Sequence, residues 1–292
     1  MKIYHYTKID TLRLILKNRT IRFNRLDHVD DVDEYIHGSG PYDTKLGLYT
    51  FVSCWTKDRK ENRDLWERYG DGYRGVRIGL EEDLFETFQS VGDINFYKFP
   101  INAGQDFVIP PFINPARLYD VVYLDEQEQK VKDLISVGEH GILTEISYVG
   151  IYKKLKWKEQ NESRFKITLF PKPPKQNYDT CKALLEALND VSSLVEEKKI
   201  TPLESDKVFI KMMKNRGILN SILNDMLLPA IPTMLQGYEM KECYYDMPMK
   251  ADALNGIEIM MGPKTEEEDR KAVERILNGI PEYHIVESKL YF

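Results

Sequence analysis

Short strand-type segments flank one long block of helical periodicity, and that arrangement restricts the chain to an α+β fold. On the N-terminal side, Lys2–Thr7, Thr20–Asn24, Leu46–Trp55, Tyr73–Leu80, Leu118–Tyr123 and Arg164–Phe170 are rich in β-branched and aromatic residues. On the C-terminal side, Glu242–Met247, Ile257–Met261 and Tyr283–Phe292 share that character. Between them, 178–199 and 204–229 carry apolar residues at helical spacing, and the breaker PKPPK at 171–175 separates the two regimes. Helices are also expected from Thr7 to Asn18, over Asn62–Tyr69, and at about 82–90, 126–137 and 266–278. Thr7 with Asp10, and Thr265 with Glu268, have the three-residue spacing of N-terminal caps. The expectation is a mixed, mostly antiparallel sheet core formed by 1–175 and 236–292, with a helical insertion at 176–235.

Composition removes several classes of function. A net charge of −6 repels a phosphate backbone, so bulk charge gives no support for a dedicated nucleic-acid binder. The clustered Lys153, Lys154, Lys156 and Lys158 read as a solvated face. Cys54, Cys181 and Cys243 lack any close spacing, which argues against a zinc site and a disulfide framework. The acidic group Asp27, Asp30, Asp31, Asp33 and Glu34 lacks the glycine turn and distal glutamate of a calcium loop. It reads as a solvated turn or a cleft-shaping loop, and no metal site is expected. Zinc-protease, α/β-hydrolase and P-loop signatures are missing. An early polar N-terminus, and no apolar run near the ~20 residues of a membrane span, predict a cytoplasmic protein.

Three constellations could carry chemistry. In the first strand, alternation puts His5 and Thr7 on one face, where an imidazole and a hydroxyl can hold a polar ligand. The bland alternative is a half-buried histidine and a helix-capping threonine. The second runs through Ser53-Cys54-Trp55 to Trp66, Tyr69 and Tyr73, with glycines at 70, 72 and 75 that permit tight turns. Here the bland reading is core packing of Trp66. The third is Trp157 to Arg164, where Glu159, Gln160, Glu162 and Arg164 precede an apolar strand. A carboxylate there can stabilise developing positive charge, or be one half of a surface ion pair. Which of Glu159 and Glu162 faces inward depends on register, since a one-residue slip reverses the answer.

Taken together, Y-H-Y-T-x-x-x-T-L-x-x-I-L-K-N-x-x-I-R-F-N, F-V-S-C-W, L-W-x-x-Y-G-D-G-Y-R-G-V, W-K-x-x-N-E-x-R and I-E-I-M-M-G-P resemble a bacterial domain-of-unknown-function family, number 2971. The likeness spans about 2–170 and 242–292 and carries no activity with it. More remotely, the order of motifs is similar to mono-ADP-ribosyltransferases. That resemblance implies an ADP-ribosyltransferase-like sheet core that uses NAD as substrate. Glu162 takes the place of the catalytic glutamate, with Gln160 two residues before it, and His5 and Thr7 hold the nicotinamide ribose. Ser53 falls in the second motif, Tyr69 and Tyr73 are candidates to stack on nicotinamide, and Arg22 or Arg164 could pair with the pyrophosphate. Tyr6 and Asn24 complete the implied NAD-binding set. The Ser-Cys-Trp triplet departs from the Ser-Thr-Ser pattern by lacking the second hydroxyl. The implied activity is ADP-ribosyl transfer to a protein or nucleic-acid acceptor, or NAD hydrolysis, in a bacterial defence or toxin setting. Two alternatives stand beside it: a module that binds a nucleotide or partner without turnover, and a scaffold whose helical stretch mediates assembly.

Overall fold

The computed structural model describes residues 1–92, 94–98, 107–110, 113–138, 141–171, 179–218 and 228–291. Nine strands form its main sheet. They are β1 (Lys2–Thr7), β2 (Thr20–Arg25), β3 (Thr50–Thr56), β4 (Val76–Glu81), β5 (Leu118–Asp120), β6 (Glu162–Thr168), β7 (Tyr244–Pro248), β8 (Ile257–Met261) and β9 (Tyr283–Glu287). Across the sheet the order is β7-β2-β3-β1-β4-β8-β9, with β6 added on β3 and β5 on β6. Within this sheet, among the described residues, only the β8–β9 pairing is parallel. The described helices include α1 (Ile9–Asn18), α2 (Asp33–Ile36), α3 (Arg63–Arg68), α4 (Gln127–Lys132), α5 (Asp179–Glu196), α6 (Pro202–Asn215), α7 (Leu228–Leu235) and α8 (Glu267–Leu277). The chain is thus a mixed α and β structure on a mostly antiparallel sheet.

Register sorts the side chains into two faces, because residues directly opposite each other in an antiparallel pair point the same way. Ile3, Ile78, Ile259, Phe23, Phe51 and Phe165 fall on one face and join a single large core, together with Leu12, Ile15 and Leu16 of α1 and Val273 of α8. The opposite face is polar. It carries Lys2, Tyr4 and Tyr6 of β1, Arg77 of β4, Glu258 of β8, Cys54 and Thr56 of β3, Glu162 and Arg164 of β6, and Arg22 and Asn24 of β2.

β3 is a branch point, and this creates the site. One edge of β3 is fully paired with β6, from Glu162 opposite Thr56 to Thr168 opposite Thr50. The other edge is shared: β2 pairs at Phe51 and Val52, and β1 at Thr56. Ser53, Cys54 and Trp55 have no strand partner there. The sheet therefore splits where β1 and β2 diverge.

Helices α5 and α6 of the expected insertion pack on the rest of the chain. Leu184, Ala187, Leu188 and Val191 of α5 belong to the same core as Ile3 and Phe165. Ser192 Oγ accepts from Gln89 N–H at 3.0 Å, and Ser205 Oγ from Gly92 N–H at 2.8 Å, tying α5 and α6 to the hairpin of strands Thr87–Val91 and Ile94–Tyr97. That hairpin replaces the helix expected at 82–90. The glutamates there favour a helix locally, but Leu84, Phe85 and Phe88 are buried in the core, and tertiary burial overrides propensity.

Other boundaries shift for local reasons. Thr7 does not cap α1; it belongs to β1, Lys8 stands at the N-cap, and no side-chain cap forms. Leu46–Tyr49 is a 3-10 turn leading into β3. The strand expected over 118–123 breaks at Val121 into β5 and a short strand, Val122–Leu124, that pairs with Tyr152–Lys154. α4 stops at Lys132 and a strand, Ile135–Gly138, follows. Pro232 lies inside α7 rather than ending the helical region. The capping box of α8 uses Glu266 and Asp269, one residue beyond the expected pair. The breaker at 172–175 and part of the expected helix over 204–229 lie outside the described residues. No described helix is long and apolar enough to cross a membrane.

Candidate functional site

The split in the sheet opens into a cavity of about 270 Å³. β1 contributes Tyr4, His5 and Tyr6; β2 contributes Arg22 and Asn24; β3 contributes Val52 to Thr56. Its remaining wall comes from elements laid over the polar face: His28 to Asp30, Leu65 and Tyr69 at α3, Lys153, Gln160, and Glu162 with Arg164 of β6. Asn62 fixes α3 in place. Its side chain accepts from the N–H groups of Asp64 and Leu65, the expected capping chemistry, and donates to the Glu159 carbonyl at 2.6 Å.

His5 bridges the split. Its Nδ1 lies 2.8 Å from the Cys54 carbonyl, so the ring supplies the hydrogen bond that a neighbouring strand would otherwise give. Burial pushes its pKa down, and the ring is neutral at pH 7. Because Nδ1–H is the donor to a carbonyl, Nε2 is left as an acceptor. His5 sits 5.1 Å from the Trp55 ring, whose Nε1–H donates to Ser53 Oγ at 3.0 Å.

Behind the cavity lies a buried four-member charge cluster. Glu162 receives Arg164 Nε–H at 2.5 Å on one oxygen, and Lys153 Nζ at 2.9 Å with Arg164 Nη2 at 3.1 Å on the other. Glu34 of α2 binds both terminal nitrogens of Arg164. The fifth guanidinium proton goes to the Gly150 carbonyl at 2.8 Å. All five Arg164 donors are therefore used within the protein. Burial pushes the Glu162 carboxyl up, but the charges of Arg164 and Lys153 overcome it and hold it down to about 2. At Glu34 burial wins, and its pKa is raised against the pull of Arg164. On acidification Glu34 is the first of the pair to take a proton. Burial and the charge of the Glu162 carboxylate push the Cys54 thiol's pKa well up, so it stays protonated.

Gln160 closes the 3-10 turn Leu155–Gln160 ahead of β6. Its Oε1 accepts from Lys153 Nζ at 2.8 Å, which fixes the amide's orientation. Its Nε2 is buried with no hydrogen-bond partner among the described residues. Asn161 turns the chain through the left-handed region, φ 43°, and Glu162 then faces inward while Glu159 is exposed.

The structure thus brings His5, Tyr6, Arg22, Asn24, Ser53, Tyr69, Gln160, Glu162 and Arg164 to one cavity. Thr7 and Tyr73 are not part of it. Thr7 is buried opposite Val76, one register step from the split, and Tyr73 packs beside Trp66 under Lys264. The two arginines expected to meet a pyrophosphate both have partners within the protein. Arg164 has no donor left, and Arg22 is held by Asp246 at 2.8 and 2.9 Å and stacks on Tyr244 at 3.7 Å. Sequence reasoning missed the buried roles of Glu34, read as part of a solvated turn or a cleft-shaping loop, and of Lys153, read as part of a solvated face. Each is at most 3% exposed. The only signal was the strand-type residues flanking Lys153. Among the described residues no cluster of His, Cys, Asp and Glu could hold a metal.

Comparison with known proteins finds no matching family model, no matching curated protein and no matching solved structure. The class of this protein rests on its own geometry.

Proposed function

We propose that the cavity at the β1–β3–β6 junction binds the nicotinamide–ribose end of NAD, and that the protein is an ADP-ribosyltransferase-like enzyme or NAD glycohydrolase. One observation carries this reading: His5, Ser53, Gln160 and Glu162, distant in the chain, line the same cavity. The resemblance of the motif order to mono-ADP-ribosyltransferases supports the same assignment. About 270 Å³ lies just below the usual range for ligand pockets, about 300–1,000 Å³, and suits a nucleoside rather than a whole dinucleotide. The phosphates would lie outside it.

In the reaction, the glycosidic C–N bond breaks and its electron pair leaves with nicotinamide. Positive charge then develops on the ribose, and an ionised carboxylate beside it lowers the barrier. Glu162 suits that part because Arg164 and Lys153 keep it ionised and fixed in orientation. Gln160 Nε2 offers a donor beside Glu162, while His5 and Ser53 reach the cavity through the split from the apolar face, opposite Ile78 and Phe165, where His5 Nε2 is an acceptor. Water or a protein or nucleic-acid group attacks the anomeric carbon and gives up its proton.

A second reading, a module that binds the nucleotide without turnover, is favoured by one feature. Glu34 and Glu162 are matched by Arg164 and Lys153, so little net negative charge faces the cavity. Incubation with NAD labelled in nicotinamide separates the two. The enzyme reading expects nicotinamide release from wild type and a loss of about a hundredfold or more in Glu162→Gln. NAD binding without release supports the module; absence of both binding and release sinks both readings.

A further inference from the structure

The polar face continues past the cavity into a second hollow of about 340 Å³ lined by Lys2, Tyr4, Lys57, Arg59 and Glu258. Tyr4 lines both hollows. Its ring lies over β4 because Gly79 is opposite; a Cβ there would stand 3.1 Å from the ring and 3.3 Å from the Glu258 side chain. Arg77, buried beneath, stacks on Tyr4 at 4.4 Å, and its Nε has no hydrogen-bond partner among the described residues.

This hollow is electropositive in a chain of net charge −6. Lys2 is paired with Glu258 at 3.3 Å, and Lys57 with Asp120. Arg59 is exposed, and no ion pair or side-chain hydrogen bond engages its guanidinium among the described residues. Three cations and one carboxylate thus line the hollow, and Arg77 beneath it lies 4.0 Å from Glu258. In the main cavity Arg164 and Lys153 are committed to Glu34 and Glu162, and Arg22 is paired with Asp246.

We propose that the Lys2–Lys57–Arg59 hollow is a phosphate subsite, which takes the phosphate groups of a ligand whose nucleoside end occupies the main cavity. The identity of that ligand rests on the proposed function; the anion site itself does not. A planar guanidinium with free donors suits phosphate oxygens, and the shared Tyr4 places the two hollows side by side.

The test is calorimetric titration of the full chain with NAD, nicotinamide riboside and inorganic pyrophosphate, comparing wild type with Arg59→Glu. Arg59 is exposed, so the fold should persist, and circular dichroism checks it. The expected result is about tenfold or greater weakening for NAD and pyrophosphate, with nicotinamide riboside unchanged within about twofold. Equal affinity of both proteins for NAD and pyrophosphate overturns the subsite, as does an equal loss for the riboside. If wild type binds neither NAD nor the riboside, the proposed function fails alone. Pyrophosphate then decides: Arg59-dependent binding sustains the subsite, and no binding overturns it.

Discussion

Replacing Arg164 with methionine tests whether the charge cluster behind the cavity is one balanced unit. The side chain is 1% exposed and spends five donors on Glu34, Glu162 and Gly150. Its loss leaves two buried carboxylates with Lys153 as their only cation, 2.9 Å from Glu162 and 3.6 Å from Glu34. Removing one partner of a buried pair costs about 3–5 kcal/mol, a large part of a typical ~5–15 kcal/mol total. Glu34→Gln alone should cost less, about 1–2 kcal/mol, because burial already favours a neutral group there. The double variant restores balance between Glu162 and Lys153. It should therefore be more stable than Arg164→Met, with a coupling of about 2 kcal/mol or more. Urea unfolding of the four proteins measures this. If the double variant loses the sum of the two single effects, the four groups do not act together.

The sign with pH follows from the same charges. In wild type, Glu162 is depressed, so its contribution is present above the ordinary carboxylate range and is lost as pH falls toward about 2. Without Arg164, burial dominates and its pKa moves up. The variant should then recover stability relative to wild type as pH falls from 8 to 5. A gap that widens on acidification would refute the assignment.

Other predictions concern single residues. Asn62→Ala should cost about 1 kcal/mol through loss of the α3 cap, a fall of about 2–4 °C in thermal melting. Gly75→Ala would place a Cβ 2.3 Å from the Thr7 carbonyl oxygen, so urea unfolding should show a loss of about 1–3 kcal/mol; a neutral result would mean that the β1–β4 junction yields freely. Burial pushes Lys166 down to about 7, so folding gains stability as pH rises from 7 toward 10. Lys166→Met should flatten that rise in pH-dependent melting. Ligand binding should hold level from pH 7 to 8 and weaken in acid as His5 gains a proton and Nε2 ceases to accept, a change absent in His5→Asn.

The strand β8 (Ile257–Met261) and the extent of β1 were legible because β-branched and aromatic runs bounded by polar residues leave little else for the backbone to do. The segment around 82–90 was not, since its acidic residues favour a helix and only burial of Phe85 and Phe88 against the rest of the core decides for a strand. His5 stood out by its chemistry, whereas Glu162 was one of two carboxylates, with Glu159, that only register separates. That His5 and Glu162 line one cavity follows from β3 having β6 on one edge and two diverging strands on the other, a long-range arrangement no local pattern encodes. The same holds for Glu34 and Lys153. In sequence both belong to charge runs of the kind water ordinarily solvates, and only the folded chain encloses them, where a charge must find its opposite or lose its proton.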